Sequence, residues 1–245
     1  MTPEPDARAR GWREKVDTAL FGFNPGYLRH SIRLRLPGPA RAEGAAASAY
    51  LAAASAGVAL SAETHRDHLA AWRAAYAAFG MRDATPPPEA LLAWAIRPGG
   101  LPSQGALRDL VHGFMLAQGV PLAAYALTAI EGDLWLRPSR GSERFTGLGD
   151  RRPSAPSLGE IILSDTAELV LARHWHGAQA VETVAGPEAS EVLVHLDLLP
   201  PAADAADGLL QAFLDLAERL LGASGEHQLL HRAKPEIAWP TRPGA

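Results

Sequence analysis

The chain has 245 residues, of which 47% are hydrophobic and 20% charged, a composition typical of one or two globular domains rather than of a disordered protein. It contains no cysteine, which excludes disulfide bonds, thiolate metal sites and a cysteine nucleophile. The net charge is −4 with scattered basic residues, which argues against tight binding of a nucleic-acid backbone, and no apolar run approaches the ~20 residues of a membrane span.

The first part of the chain is predicted to hold one strand and then helices. Residues 1–27 are interpreted as an N-terminal arm; they lack the apolar core of a signal peptide, so we expect a cytoplasmic protein. Apolar side chains alternate with arginines over residues 28–36, which predicts a half-buried strand. Helices are predicted over residues 45–56 and 64–79, and a short helix after the three prolines at 86–88.

The second part is predicted to be richer in strands. A helix from about residue 104 to 118 precedes an extended segment at 120–125. A hairpin follows, with strands at 133–137 and 143–146. Three further strands and an amphipathic helix are predicted at residues 160–165, 168–176, 191–199 and 207–221. The tail from 222 onward shows no clear element, so the main domain is placed at 28–222 and a C-terminal tail at 223–245.

Several segments in this order resemble a known family. They are WRAAYAAFG at residues 72–80, the PPPEALL stretch, the LP at residue 101, IEGDLWLR, and LGEIILSD at 158–165. Over roughly residues 63–221 the chain resembles the free-standing relatives of the tRNA-editing module of the phenylalanyl-tRNA synthetase β subunit. The resemblance implies an α+β fold, with a β-sandwich-like core flanked by helices. In the synthetase, a pocket between the sheets holds the amino acid while the module hydrolyses wrongly attached tyrosine from tRNA.

The chain departs from the family pattern where the chemistry is expected. The family has Pro-Leu-His-Ala-Phe-Asp-Leu in the segment that here reads PLAAYAL at residues 121–127. Ala123 and Ala126 replace the His and the Asp, and the acidic residue expected near the last strand falls on or beside His195. If the pocket is active, other residues must orient water or stabilise the oxyanion.

Glu131 is the first candidate acid or base. It follows Ile130 at the entry to the predicted hairpin, where an apolar pocket wall would raise the pKa of its carboxyl group. The alternative is that Glu131 is a turn residue, which pairs with Arg137 or accepts a hydrogen bond from a backbone amide.

The tetrapeptide Arg173-His174-Trp175-His176 is the second candidate. On a strand, Arg173 and Trp175 share one face, and His174 and His176 share the other. Trp175 is then placed to stack on an aromatic substrate and Arg173 to hold a carboxylate, while Trp175 as ordinary core is the alternative. Two histidines on one face suggest a metal only weakly, because no third ligand is near. Tyr125 is expected to line the same pocket or simply to pack.

His112 and His195 complete the catalytic candidates. His112 lies one helical turn after Asp109, so the two share a helix face and are able to form an Asp–His pair, with a solvent-facing pair as the alternative. No phosphate loop, dinucleotide-binding turn, serine-hydrolase elbow or helical zinc-protease motif is present in the sequence. We expect no cofactor and no metal.

Three functions remain open from the sequence. The first is an editing-like hydrolase acting on aminoacyl-tRNA. The second is an enzyme of specialised metabolism that uses the same pocket for a free aromatic amino acid, in a condensation or cyclisation such as a Pictet-Spengler-type reaction. The third is a non-catalytic module that binds an amino acid or tRNA. The expected partner is therefore an amino-acid-like small molecule or an aminoacyl-tRNA, and the sequence does not determine the oligomeric state.

Overall fold

The computed structural model describes residues 11–37, 44–57 and 65–240. Within these ranges the chain forms ten strands and six α-helices. The strands are β1 Trp12–Val16, β2 Leu28–Arg35, β3 Leu122–Ala126, β4 Leu134–Pro138, β5 Ile161–Asp165, β6 Val170–Arg173, β7 Ala178–Gln179, β8 Glu191–Leu198, β9 Ser224–Leu230 and β10 Glu236–Trp239. The helices are α1 Thr18–Phe23, α2 Gly44–Ala56, α3 Arg66–Ala78, α4 Pro87–Ala95, α5 Ala106–Gln118 and α6 Ala206–Leu221.

The strands form two sheets. One has six strands in the order β10-β1-β4-β5-β6-β7, in which β1 and β4 are parallel and the other neighbours antiparallel. The other has four antiparallel strands in the order β3-β8-β2-β9, so that β3 and β9 are its edges. The α+β class implied by the resemblance is confirmed.

Apolar side chains pack in two main layers, one on each face of the four-stranded sheet. On one face, alternate residues of β2 and β8, such as Ile32 and Val194, pack against α2, α5 and α6. On the opposite face, Tyr125 and Leu193 meet side chains of the six-stranded sheet and of α3, including Trp72 and Trp175. The second layer is the sandwich-like core between the two sheets.

The C-terminal end of α5 and its buried side explain the position of the helix. Gly119 ends the helix in the left-handed conformation with φ 66°, and a Cβ there would lie 2.3 Å from the Cβ of His65. The helix buries Leu110, Val111 and Phe114 among other residues, so its core-facing side is pressed against the sheet. Its first turn is thereby fixed beside the edge strand β3, which α5 contacts.

Three local expectations from the sequence are wrong. No hairpin forms at 133–146: β4 pairs with β1 and β5, while Arg144 and Phe145 make only isolated bridges. The tail is not irregular, because β9 and β10 lie in it. The strand at 28–36 is present as β2, but it is not half-buried, since Arg29 and Arg33 lie between the sheets and are each 1% exposed.

The residues interpreted as an N-terminal arm include β1, which lies in the six-stranded sheet between β10 and β4. In the described ranges, no helix is both long and apolar enough to cross a bilayer.

Candidate functional site

A cavity of about 710 Å³ opens along the free edge of the four-stranded sheet. Its walls are residues 122–125 of β3, the first turns of α5, and the segment from His176 to Pro187 that follows β6. A volume between roughly 300 and 1,000 Å³ is usual for a small-molecule site. The cavity is therefore large enough for an amino-acid-sized group with space left over.

Gln179 braces the wall between β7 and β3. Its side-chain amide donates to the carbonyl of Ala124 at 2.9 Å and to the carbonyl of Thr183 at 3.1 Å. The bond to Ala124 crosses from one sheet to the edge of the other, because Ala124 lies in β3 and Gln179 in β7. The polar atoms of this wall are thus fixed in place before any ligand binds.

The helix α5 brings two charged or titratable side chains to the cavity, Arg108 and His112. Burial and, to a smaller extent, the positive charge of Arg108 lower the pKa of His112 to about 4, so the ring is neutral near pH 7. Its buried Nδ1 has no hydrogen-bond partner among the described residues. A neutral imidazole with a free nitrogen can accept a proton or a hydrogen bond from a ligand or from water.

The expected Asp109–His112 pair is not formed. The buried carboxylate of Asp109 accepts the Ser103 hydroxyl at 2.5 Å and the Gln104 backbone N–H at 2.8 Å. Asp109 therefore holds the loop that enters α5. The side chains at 109 and 112 share the helix but have separate roles.

The segment 173–176 is not a continuous strand, contrary to the sequence interpretation. The strand β6 ends at Arg173, and His174 and Trp175 have left-handed backbones with φ 50° and 69°. Alternation of faces therefore does not apply. The guanidinium of Arg173 is bonded to the carboxylate of Glu160 at 2.8 and 2.7 Å, so the carboxylate it holds belongs to the protein itself.

The side chains of Trp175 and His176 lie in different surroundings after this turn. Trp175 is fully buried in the core, with its ring edge-on to Trp72 at 5.3 Å, which leaves it no face for a ligand and supports its interpretation as core. His176 lines the cavity, and the Tyr76 hydroxyl lies 3.0 Å from its Nδ1. Burial lowers the pKa of His176 to about 3, so this ring is also neutral near pH 7. His174 instead faces Glu160, at 3.5 Å.

Glu131 does not lie at the cavity. Its side chain is exposed, its backbone N–H donates to Asp165 and its carbonyl accepts from Thr166. The expectation of an apolar pocket wall around this carboxylate is wrong, because the residue belongs to the turn before β4. Of the residues singled out from the sequence, the structure brings Tyr125, His112 and His176 to the cavity, together with Ala123.

A buried ionic network lies behind the cavity wall, between the sheets. Asp197 accepts from Arg29 at 2.7 and 2.9 Å and from the Tyr27 hydroxyl at 2.5 Å. Glu14 lies 2.9 Å from His195 Nε2 and accepts the Ser31 hydroxyl at 2.5 Å.

Both carboxylates of this network are held in the ionised form. Burial raises the pKa of each, but for Asp197 the effect of Arg29 outweighs it, and for Glu14 that of His195 and Arg29, so both pKa values lie below their usual range. Sequence reasoning found His195 and missed the others. The sequence signal for the network was the run of arginines in β2. Arg29 and Arg33 alternate with apolar residues that are equally buried, so both faces of this strand are covered.

A comparison with protein families decides the relationship. The model of the B3/4 domain matches residues 71–205, more than half of the chain. The chain belongs to the B3/4 domain family. This is the domain type of the phenylalanyl-tRNA synthetase β subunit, so the relationship suspected from the sequence is confirmed.

Among solved structures, the protein is similar to an N-terminal fragment of the phenylalanyl-tRNA synthetase β subunit from Pyrococcus horikoshii. The TM-score is 0.48 at 10% sequence identity, and the match covers 86% of this chain and 49% of that one, so the chain spans about half the length of the fragment. No curated protein sequence matches the chain.

The B3/4 match contains most of the cavity but only two residues of the ionic network, His195 and Asp197. Ala123, His176 and His195 lie inside the matched residues, whereas Glu14 and Arg29 lie before them. The network is therefore assembled from the B3/4 domain and from strands that the family model does not include. Among the described residues, no three His, Asp or Glu side chains are grouped so as to hold a metal ion.

Proposed function

We propose that this B3/4 protein binds an aminoacyl group in the cavity beside β3 and hydrolyses aminoacyl esters in an editing-like reaction in the cytoplasm. One observation carries the proposal: the cavity of about 710 Å³ is walled by residues 122–125, which belong to the segment that resembles the family's amino-acid pocket. Membership of the B3/4 family supports it at the level of the domain.

The lining suits an amino-acid side chain and a reacting ester. Val111, Met115 and Tyr125 offer apolar surface, on which burial of a side chain is favourable. The first turn of α5 lines the same cavity without a capping side chain, and helix N-terminal amides stabilise developing negative charge such as that of an oxyanion. His112 supplies a neutral ring nitrogen able to orient water.

The test is single-turnover hydrolysis of tyrosyl- and phenylalanyl-tRNA, followed by release of the amino acid. Ala124→Phe extends a ring into the cavity from β3, and Ala185→Trp does so from the opposite loop. Wild-type protein is expected to release the amino acid, and both variants to do so at least about tenfold more slowly, because one ring removes much of the space in which an aromatic side chain binds.

Glu131→Gln is the matched control, since Glu131 is exposed and does not line the cavity. It is expected to keep the wild-type rate within about twofold, as surface substitutions usually do. Thermal unfolding of each variant separates a blocked cavity from a misfolded chain. Absence of hydrolysis by correctly folded wild-type protein would refute the proposed activity.

A second candidate is an enzyme or binding module for a free amino acid or a related small acid. It is favoured by the charge of the cavity: among the described lining residues, Arg108 is the only side chain charged at neutral pH, and the whole chain carries −4. A carboxylate suits that arrangement, whereas tRNA binding normally draws on many cations. If L-tyrosine raises the melting temperature while aminoacyl-tRNA is neither bound nor cleaved, this candidate replaces the first.

A further inference from the structure

The Glu14–His195 pair lies one strand behind the cavity wall. Ser31, His195 and Ala123 are direct partners across the neighbouring strands β2, β8 and β3, so they form one row on the face between the sheets. Ala123 lines the cavity at the outer end of this row. Glu14 reaches the row from the opposite sheet and contacts both Ser31 and His195.

Tyr125 is a second β3 residue that contacts both His195 and the cavity. It follows Ala123 on the same face of β3, its ring centre lies 5.6 Å from that of His195, and it lines the cavity. The alanine and the tyrosine are the only β3 side chains between the described cavity and the imidazole, because β3 is the edge strand next to β8. A proton acceptor at His195 is therefore separated from the cavity by one small side chain and one ring.

The surroundings of His195 favour one protonation state of its ring. Its Nε2 lies 2.9 Å from a carboxylate oxygen of Glu14 as an ion-pair contact, and among the described residues neither ring nitrogen has a partner in hydrogen-bond geometry. The nearby carboxylate favours a proton on Nε2, which leaves Nδ1 as the accepting nitrogen. Glu14 is kept in place by Ser31 and by Arg29, whose guanidinium lies 3.6 Å away. The other titratable or charged groups that face this space are Tyr27, Tyr125, His176 and Asp197.

A contribution to folding stability does not by itself explain why the Glu14–His195 pair is buried. Replacing a buried ion pair with apolar residues of similar size is often neutral or stabilising, because both charges must be desolvated. The chain nevertheless places a carboxylate, a hydroxyl and an imidazole together at 0–1% exposure, directly behind the β3 wall of the cavity, where Ala123 leaves little side chain in between.

We infer that Glu14 and His195 form the acid–base pair of the cavity, with His195 as the proton acceptor and Glu14 as its positioning residue. The inference rests on the proposed hydrolysis. Water held beside Ala123 and Tyr125 gives a proton to His195 Nδ1, and the resulting hydroxide adds to the ester carbonyl carbon. The carbon–oxygen bond to the alcohol then breaks, and the imidazolium returns its proton to the leaving oxygen. The Glu14 carboxylate stays beside Nε2 throughout and stabilises the imidazolium by its charge.

The first experiment compares His195→Gln and Glu14→Gln with Glu226→Gln, a control in which a half-exposed carboxylate near Arg33 is neutralised. Hydrolysis of aminoacyl-tRNA is measured from pH 5 to 9 under single-turnover conditions, with thermal unfolding of each variant. His195→Gln is expected to lower the rate about 100-fold and to remove the acidic limb of the pH profile, as loss of a general base does. Glu14→Gln is expected to lower the rate about tenfold and to shift that limb, while Glu226→Gln keeps the wild-type profile.

The result that overturns the inference is a His195→Gln protein that is folded and keeps both rate and pH profile. A second readout separates this from failure of the proposed hydrolysis. In wild-type protein labelled with ¹⁵N-histidine, adding L-tyrosine is expected to shift the imidazole signals of His195, and the shift should vanish in Ala124→Phe. If aminoacyl-tRNA is not cleaved but the signals shift, the hydrolase proposal fails and the acid–base pair survives for another reaction. If the signals do not shift, the pair does not serve the cavity.

Discussion

Lowering the pH from 6 to 4.5 is expected to reduce the free energy of unfolding by several kcal/mol. Burial lowers the pKa of His176 to about 3, and burial together with His227 lowers that of His30 to about 4. In the unfolded chain both rings regain an ordinary pKa near 6.5, so between these values the unfolded state binds protons that the folded state does not. Stability therefore falls as the pH falls through this window.

The size of the effect follows from linkage. Each such histidine contributes a slope of about 1.4 kcal/mol per pH unit while it titrates only in the unfolded chain. His30 and His176 are 1% and 8% exposed, so solvent screening removes little of that slope. The carboxylates Glu14 and Asp197 act in a lower window: their pKa values are depressed in the fold, and their contribution is lost only below about pH 4.5.

Urea denaturation at pH 7, 6, 5 and 4.5 measures this dependence. His176→Gln and His30→Gln are each expected to flatten it by about 1.4 kcal/mol per pH unit. A wild-type stability that is constant between pH 6 and 4.5 would show that the two buried rings are protonated in the folded state.

The sequence predicted five of the six described helices and most strands because their signals are local, and it missed α1, which lies in the residues interpreted as an arm. The helix α5 illustrates this: an apolar stripe from Leu110 to Phe114 and the stop at Gly119 act within one segment. The hairpin predicted at 133–146 does not form, because the residues of its expected turn are held by an ion pair instead. The carboxylate of Glu143 accepts from Arg137 and Ser139, so the chain folds around that ion pair while β4 pairs with strands far away in sequence.

The candidate site was predicted only in part, for a physical reason. Tyr125, His112 and His176 were found because their segments resemble the family or carry unusual residues. Arg29 and Ser31 were missed because alternation of charged and apolar residues normally indicates a solvent face, and here the second face is covered by another sheet. Glu14 and His195 meet only through the packing of two sheets, which no local pattern encodes.

Asp197→Ala is expected to cost about 3–5 kcal/mol of the free energy of unfolding, the usual effect of removing one partner from a buried ion pair. The Asp197 carboxylate accepts both Arg29 bonds, at 2.7 and 2.9 Å, and the Tyr27 hydroxyl. Without it, the guanidinium of Arg29, which is 1% exposed, keeps Glu14 at 3.6 Å as its one acidic neighbour in the part of the chain that the structure describes. An uncompensated buried charge is the source of the loss, rather than the contact energy itself.

Two further variants test that cause by urea denaturation at pH 7. Arg29→Met combined with Asp197→Leu removes both charges, and it is expected to recover most of the loss, because apolar side chains of similar size avoid the desolvation penalty. Glu236→Ala breaks the pair with Arg13, which measures 3.2 Å and whose side chains are 67% and 41% exposed, and it should cost less than about 1 kcal/mol. If the double variant is as unstable as Asp197→Ala alone, the unpaired charge is not the cause of the loss. The hydrogen bonds and shape of the Arg29–Asp197 pair would then hold β2 and β8 in the arrangement that places His195 behind the cavity.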